Sequence, residues 1–333
     1  MVRRKAAQED LRVPYGIRPE TEEGSMELAV EYRVITSREL EEWIEEKRDL
    51  TIVDTLPEEQ YRRIHLPGAV NACVYQVIFL ERMAALVPDQ GRTVVVYGSS
   101  ERSLDALVAA EKLVRAGYRN VFAMAGGLKS WREMGGGVEG EAPEAGMESP
   151  GLLLENRLYR VDVDESLIEW TGRNPNTRHF GTLRLSEGSI SVHDDSFTGS
   201  FVLDMRSIVN KSLAGDPLKE VLEAHLASDD FFFVERFPTA QFSIESARIV
   251  DEPTLSAPNF AVRGILDLHG LKQDIGFDAT LNNLEGGGIV AEAHFDIDRT
   301  RWDIVYGSSR FFEHLGMHLV FDLISIQLRI VAR

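Results

Sequence analysis

The sequence predicts two domains of different class, an α/β unit over residues 31–138 and an antiparallel β-barrel over residues 158–333. Three observations carry that expectation. Short apolar runs alternate with amphipathic helical stretches in the first half, the pattern of strands crossed by helices. From Tyr159 onward the period changes to apolar/polar alternation broken by turn residues, with one helical interruption. Between the two, Gly135-Gly136-Gly137 through Gly151 is rich in Gly, Pro and Glu and poor in large apolar residues, so residues 139–157 read as a linker. A chain of 333 residues with 44% hydrophobic content is long enough for two cores.

Residues 1–30 are charged and contain no apolar run suited to a signal peptide or a membrane span, so a flexible lead-in and cytoplasmic residence are expected. Thr36-Ser37-Arg38-Glu39 has the spacing of a capping box and opens the first helix, whose acidic run Glu39, Glu41, Glu42, Glu45 and Glu46 reads as a solvated face. Leu50-Thr51-Ile52-Val53 is a strand closed by Asp54. Val94-Val95-Val96-Tyr97 is a second, buried strand, followed by the turn Gly98, Ser99, Ser100, Glu101, Arg102, Ser103 and a helix with Leu107, Ala110, Leu113 and Val114 on one face. Such a layout can seat a nucleophile, because helix N-terminal N–H groups and the Arg102 charge would stabilise a thiolate or an oxyanion. No thiol stands there. The single cysteine, Cys73, sits in the apolar stretch Ala72-Cys73-Val74-Tyr75 and is expected to be a small buried hydrophobe; one cysteine also excludes an intramolecular disulfide and a Cys-rich zinc site.

Asp54, the run His65-Leu66-Pro67-Gly68-Ala69-Val70-Asn71, Gly117-Tyr118-Arg119-Asn120-Val121 and Gly126-Gly127-Leu128-Lys129-Ser130-Trp131 together resemble a rhodanese-like domain over about residues 33–138. In that family the catalytic cysteine follows the strand that ends here at Tyr97, so the resemblance puts Gly98 in the nucleophile's place. The loop is also about one residue short, and Leu56 stands where the family usually has an arginine. Persulfide chemistry needs a sulfur nucleophile that glycine and serine cannot replace. The expectation is a rhodanese fold without sulfurtransferase activity, whose loop residues 98–103 form a candidate oxyanion site or whose surface docks a protein partner.

In the second half, Leu167-Ile168-Glu169-Trp170-Thr171-Gly172, Gly181-Thr182-Leu183-Arg184-Leu185, Ser189-Ile190-Ser191-Val192 and Phe201-Val202-Leu203-Asp204-Met205 read as separate short strands, with Glu187-Gly188 and Asp194-Asp195 as turns. Further strands are expected at 240–244, 260–265, 275–279, 289–297 and 319–331. Eight or more antiparallel strands suggest closure, which removes exposed edges. One helix is expected with Asp216 as N-cap, Pro217 at its first position, and Leu218, Val221, Leu222 and His225 on one side. An apolar interior lining is available from Trp170, Phe180, Phe201, Leu203, Met205, Phe242, Phe260, Phe277, Phe295 and Phe321, although spacing alone does not separate a hollow barrel from a filled one. Phe231-Phe232-Phe233 cannot all face one interior. They read either as a lid at the mouth, with Phe231 and Phe232 as candidate ligand contacts, or as an anchored corner.

The motifs Phe201-Val202-Leu203-Asp204-Met205-Arg206-Ser207-Ile208, His225-Leu226-Ala227-Ser228-Asp229-Asp230-Phe231-Phe232, Phe237-Pro238-Thr239-Ala240-Gln241-Phe242, Leu266-Asp267-Leu268-His269-Gly270-Leu271 and Phe295-Asp296-Ile297-Asp298-Arg299-Thr300 closely resemble the YceI-like family over nearly all of 158–333. The resemblance implies a lipocalin-like barrel that binds a polyisoprenoid or related long-chain amphiphile, and ligand binding rather than catalysis. Burying such a tail would contribute roughly 0.8 kcal/mol per CH₂, so tight binding needs few polar contacts.

The net charge of −18, spread as 19 Lys and Arg against 26 Asp and Glu in residues 1–150 and 17 against 28 in the rest, leaves no basic module and excludes nucleic acid as the expected partner. His314 and His318 have i,i+4 spacing but lack the glutamate of a zinc-protease motif, and His179, His269 and His294 fall on different strands, so no metal site is expected. No cofactor is required; the expected ligand is an isoprenoid or quinone-like lipid. A homodimer is compatible with the sequence. The competing readings are an enzyme, either a residual sulfurtransferase or a hydrolase using Ser99 or Ser100, and a ligand-free interaction scaffold with a filled barrel.

Overall fold

The structure is a computed structural model that describes residues 32–144, 146, 151–194, 196–251, 253–284 and 286–333. The chain divides into two compact units, Met1–Met147 and Glu148–Arg333.

The first unit runs β1 (Arg33–Ile35), α1 (Ser37–Glu45), β2 (Leu50–Asp54), α2 (Glu58–Arg63), β3 (Val70–Asn71), α3 (Phe79–Leu86), β4 (Thr93–Tyr97), α4 (Asp105–Arg115), β5 (Asn120–Met124) and α5 (Gly127–Glu133). Its five strands are all parallel, in the order β1-β5-β4-β2-β3. A central parallel strand is covered on both faces, which is why β4 reads as an unbroken apolar run. Val94 and Val96 pack with Met83 and Leu113 on one face, while Val95 and Tyr97 pack with Leu40, Leu128 and Trp131 on the other. The capping box at Thr36 forms as the spacing predicts. The Thr36 hydroxyl accepts from the Glu39 N–H at 3.2 Å, and the Glu39 carboxylate accepts from the Thr36 N–H at 2.7 Å.

Asp54, at the end of β2, is completely buried, with one carboxylate oxygen taking the Leu56 N–H at 2.8 Å and the other without a hydrogen-bond partner among the described residues. Burial pushes this carboxyl up to about 6, and the neighbouring Tyr97 hydroxyl, the Leu56 N–H, the His65 ring and the Asn71 amide only partly offset it. In the unfolded chain an aspartate titrates near ~3.9, so between the two values the folded unit holds a proton that the unfolded chain has released. Stability therefore declines as pH rises through that window, by up to about 3 kcal/mol from this one group. The urea midpoint of the first unit is expected to fall between about pH 4 and about pH 6.5, and Asp54→Asn is expected to flatten that fall. An unchanged slope in the variant would remove Asp54 as its source.

The second unit runs β6 (Leu158–Arg160), β7 (Leu167–Arg173), β8 (Arg178–His193), β9 (Ser196–Asn210), α6 (Leu218–Ala227), β10 (Thr239–Ile249), β11 (Phe260–Leu268), β12 (Leu271–Leu284), β13 (Gly288–Asp298) and β14 (Leu323–Ala332). Strands β7 to β14 pair antiparallel around a closed ring of eight, completed by β14 against β7, and β6 lies beside β8. The sequence expectation of two strands at 181–185 and 189–192 is corrected here. They are one strand, β8, with register shifts between Thr182 and Arg184 and between Leu185 and Glu187. Bulges let one long strand bend around the barrel, so Glu187-Gly188 marks a kink and not a turn.

Helix α6 begins one residue later than expected, at Leu218, although the Asp216 carboxylate still accepts the Leu218 N–H at 2.8 Å. Its expected apolar face is also split: Leu222, His225 and Leu226 turn inward, whereas Leu218 and Val221 are exposed. Both ends of the stretch read as a linker are bound to their own units. Glu139 pairs with His65, Glu141 and Ala142 donate to the carbonyls of Arg62 and Arg63, and the backbone of Leu153 is held by the Asn283 side chain. No helix among the described residues is long and apolar enough to cross a membrane.

Candidate functional site

The barrel encloses a cavity of about 410 Å³. Its wall follows from strand alternation, since every second residue of each strand points inward. An aromatic ladder crosses it: Phe201 of β9 lies 6.3 Å from Phe242 of β10, Phe242 lies 5.6 Å from Phe277 of β12, and Phe277 stacks on Phe295 of β13 at 4.2 Å and 6°. Strand β11 passes between β10 and β12, and Gly264 is what allows the ladder to continue, because a Cβ there would lie 2.8 Å from the Phe242 ring. Phe242, Phe277 and Phe295 are only half-buried although they point into the barrel. Inward side chains that remain uncovered distinguish a hollow interior from a filled one.

The two ends of the cavity differ. One is apolar: Phe197 and Phe260 meet edge to face at 5.0 Å, and Tyr159, Leu152 and Leu154 join their core cluster. The other is polar, with Arg173, Asn174, His179, His225, Arg299, Tyr306 and His318 in the wall. No aspartate or glutamate lines the cavity among the described residues, in a chain whose net charge is −18.

Arg299 is 1% exposed and is held by the carbonyls of Ile304 at 2.6 Å and of Val320 and Phe321 at 3.2 Å each, with the Asp322 carboxylate at 3.8 Å. Burial lowers its pKa, opposed by the charges of Asp322 and Asp298. Its main work is to pin the segment 304–321 across this end of the barrel. His225 packs edge-on against both Phe231 and Tyr306, and its Nε2 lies 3.1 Å from the Asp230 carboxylate.

Of the lining residues predicted from sequence, Trp170, Phe201, Leu203, Met205, Phe231, Phe232, Phe242, Phe260, Phe277, Phe295 and Phe321 all reach the cavity. Phe180 does not, which corrects that expectation. It is 39% exposed on the outer face of β8, beneath the Arg178 guanidinium, because His179 beside it takes the inward position. The three consecutive phenylalanines divide: Phe231 and Phe232 face the cavity, and Phe233, at φ 43°, turns onto Phe237. Sequence reasoning missed the aliphatic wall, such as Ile168, Val262 and Ile330, and the polar end. Parity supplied a signal for the first, since Ile168 stands two residues before Trp170 on the same strand.

In the first unit, the loop after β4 is filled by a carboxylate. Asp105, the first residue of α4, is buried and accepts from the Ser99 N–H and the Ser99 hydroxyl at 3.3 Å each, and from the Tyr75 hydroxyl. A Cβ at Gly98 would lie 2.6 Å from the Asp105 Cβ and 2.8 Å from a carboxylate oxygen. The rest of the loop is tied down. The carbonyls of Gly98 and Ser99 accept from Leu128 and Lys129, the Ser100 hydroxyl accepts the Arg102 N–H at 3.3 Å, the Ser100 carbonyl accepts the Ser103 N–H, and Glu101 pairs with Lys129 at 2.6 Å. The Arg102 side chain makes no ion pair among the described residues. Cys73 is buried between β3 and α3, and no cluster of three or more His, Cys, Asp or Glu side chains suited to a metal occurs among the described residues.

Comparison with known proteins places both units. The YceI-like domain matches residues 159–332, just over half of the chain. The chain belongs to the YceI-like family. A rhodanese-like domain matches residues 36–134, ahead of the YceI-like barrel. Within that first domain the chain is 40% identical over 77 residues to thiosulfate sulfurtransferase PspE of Escherichia coli, covering 23% of this chain and 69% of that protein. Of the other curated relatives it matches, all sulfurtransferases by name, the chain spans 20% to 38% of the length. Among solved structures, Burkholderia cenocepacia BcnA is similar at a TM-score of 0.42 and 16% identity, covering 52% of this chain and 99% of that one. A polyisoprenoid binding domain from Saccharophagus degradans is similar at a TM-score of 0.37 and 14% identity, covering 53% and 97%.

Proposed function

We propose that this YceI-like protein binds or carries a long-chain isoprenoid or quinone-like lipid in its barrel, and that its rhodanese-like domain serves as a docking module without sulfurtransferase activity. The observation that carries this reading is the hollow, aromatic-lined cavity with a polar end whose wall, among the described residues, holds cationic and hydrogen-bonding side chains and no carboxylate. An apolar tail gains roughly 0.8 kcal/mol per CH₂ buried, and the cavity lies within the ~300–1,000 Å³ common for small-molecule sites. A head group bearing acceptor oxygens, as a quinone does, fits beside Arg173, Asn174, His179 and His318. A negative charge there meets Arg173 in the wall, while the nearby carboxylates of Asp230 and Asp322 are turned to His225 and Arg299. On the rhodanese side, Gly98 and the Asp105 carboxylate support the loss of nucleophilic chemistry.

The test is organic extraction of natively purified protein followed by mass spectrometry. A stoichiometric isoprenoid or quinone is the expected result. An empty extract, together with no uptake of such lipids when they are added, would leave the scaffold reading in its place.

A further inference from the structure

Two pieces of chain at the polar end of the cavity expose large apolar side chains: Leu218 and Val221 on α6, and Phe311, Phe312, Met317 and Phe321 on the segment 307–321. The same two pieces of chain cover that end of the barrel. Leu222 and His225 of α6 and Met317, His318, Val320 and Phe321 of the second piece line the cavity. Met317 (85% exposed) and Phe321 belong both to the outer surface and to the wall, so at these two residues apolar surface leads from outside through the mouth into the cavity. Phe311 and Phe312 are presented on a turn whose backbone is satisfied internally, since both of their N–H groups donate to the Ser308 carbonyl. Exposed patches of this kind on a soluble surface mark interaction sites.

Resting on the carrier reading above, we infer that this rim docks on the surface of a neutral, zwitterionic phospholipid bilayer, from which the lipid enters the barrel. The chemistry of the cargo selects the occupant. Taking an isoprenoid tail through water exposes each of its CH₂ groups to solvent, whereas a mouth seated in the head-group region lets the tail pass from one apolar medium to another. Charge selects the bilayer. With 17 Lys and Arg against 28 Asp and Glu from residue 151 on, an anionic membrane repels this domain, while Arg173, His179 and His318 at the mouth suit the phosphates of zwitterionic head groups.

The experiment follows transfer of radiolabelled geranylgeraniol to the full-length protein from phosphatidylcholine vesicles and, in parallel, from a cyclodextrin complex with no bilayer present. Phe311→Ser/Phe312→Ser and Leu218→Ser/Val221→Ser alter only rim residues outside the cavity wall. Each is expected to slow transfer from vesicles by at least about tenfold and to leave uptake from cyclodextrin and the melting temperature unchanged. Equal vesicle rates in wild type and both variants would overturn the docking surface while leaving the carrier reading intact. A wild-type dimer that both substitutions dissociate would reassign the rim to self-association and also overturn it. Failure of the wild type to take the probe from either source would remove the carrier reading, and the docking surface with it.

Discussion

Gly98→Cys, which places a thiol at the position after β4, is expected to yield no thiosulfate-to-cyanide sulfurtransferase turnover and to destabilise the rhodanese-like domain. The steric reason is direct: the new Cβ would lie 2.6 Å from the Asp105 Cβ, and both atoms sit on backbone fixed by strand and helix. Overpacking of that kind costs about 1–3 kcal/mol. The electrostatic reason acts even if the loop relaxes. A thiol placed against the Asp105 carboxylate has its ionisation disfavoured, and the thiolate is the nucleophile. Thiosulfate is an anion, so the same carboxylate repels the sulfur donor, and Asp105 already takes the Ser99 N–H that would help to hold it. The double variant Gly98→Cys/Asp105→Ser separates these effects. It is expected to recover most of the lost stability in thermal unfolding, because the smaller side chain vacates the contact. Turnover by the single variant at a rate comparable with the double would show that Asp105 is not the obstacle.

The Gly98–Asp105 contact is only half legible in the sequence. That Gly98, and no thiol, follows β4 is visible because the apolar run before it fixes the end of the strand. Asp105 is not, because an acidic residue opening a helix is the ordinary complement to the helix dipole, and nothing in its spacing says that its carboxylate folds back into the loop. Elsewhere the same division holds between local and tertiary causes. The Thr36–Glu39 capping box, the buried run of β4 and the alternating period of the second domain are set by near neighbours in the chain, and they form as read. The sequence of β8 reads as two short strands broken at Glu187-Gly188 because a bulge and a turn draw on the same residues, and only pairing with β9 tells them apart. The chemistry of Phe180 alone places it inside, whereas the local register gives the inward position to His179. The polar end of the cavity is not legible for a related reason: Arg173 and His179 come from the β7–β8 hairpin, His225 from α6, and Tyr306 and His318 from the segment 304–321, three places in the chain that meet only when the barrel closes.

Closure with space left inside makes the second large effect available. Ala291→Phe is expected to reduce the amount of lipid that co-purifies with the protein by at least about tenfold while leaving thermal unfolding of the barrel unchanged or raised. Ala291 points inward from β13, opposite Leu281 of β12 and Ile330 of β14, and all three line the cavity. It is only half-buried despite that position, so its Cβ faces open space. A phenyl ring added there gains dispersion contacts with the wall and covers apolar surface that only a ligand would otherwise cover. The ring and the isoprenoid tail compete for the same volume, and losing even a few buried CH₂ groups, at roughly 0.8 kcal/mol each, is enough for a tenfold loss of affinity. A barrel filled by its own side chains responds in the opposite way. The ring would then be forced into a packed core at a cost of about 1–3 kcal/mol, and there would be no lipid signal to lose. One substitution, measured by mass spectrometry and by melting, thus separates the carrier from the scaffold through the sign of its stability change.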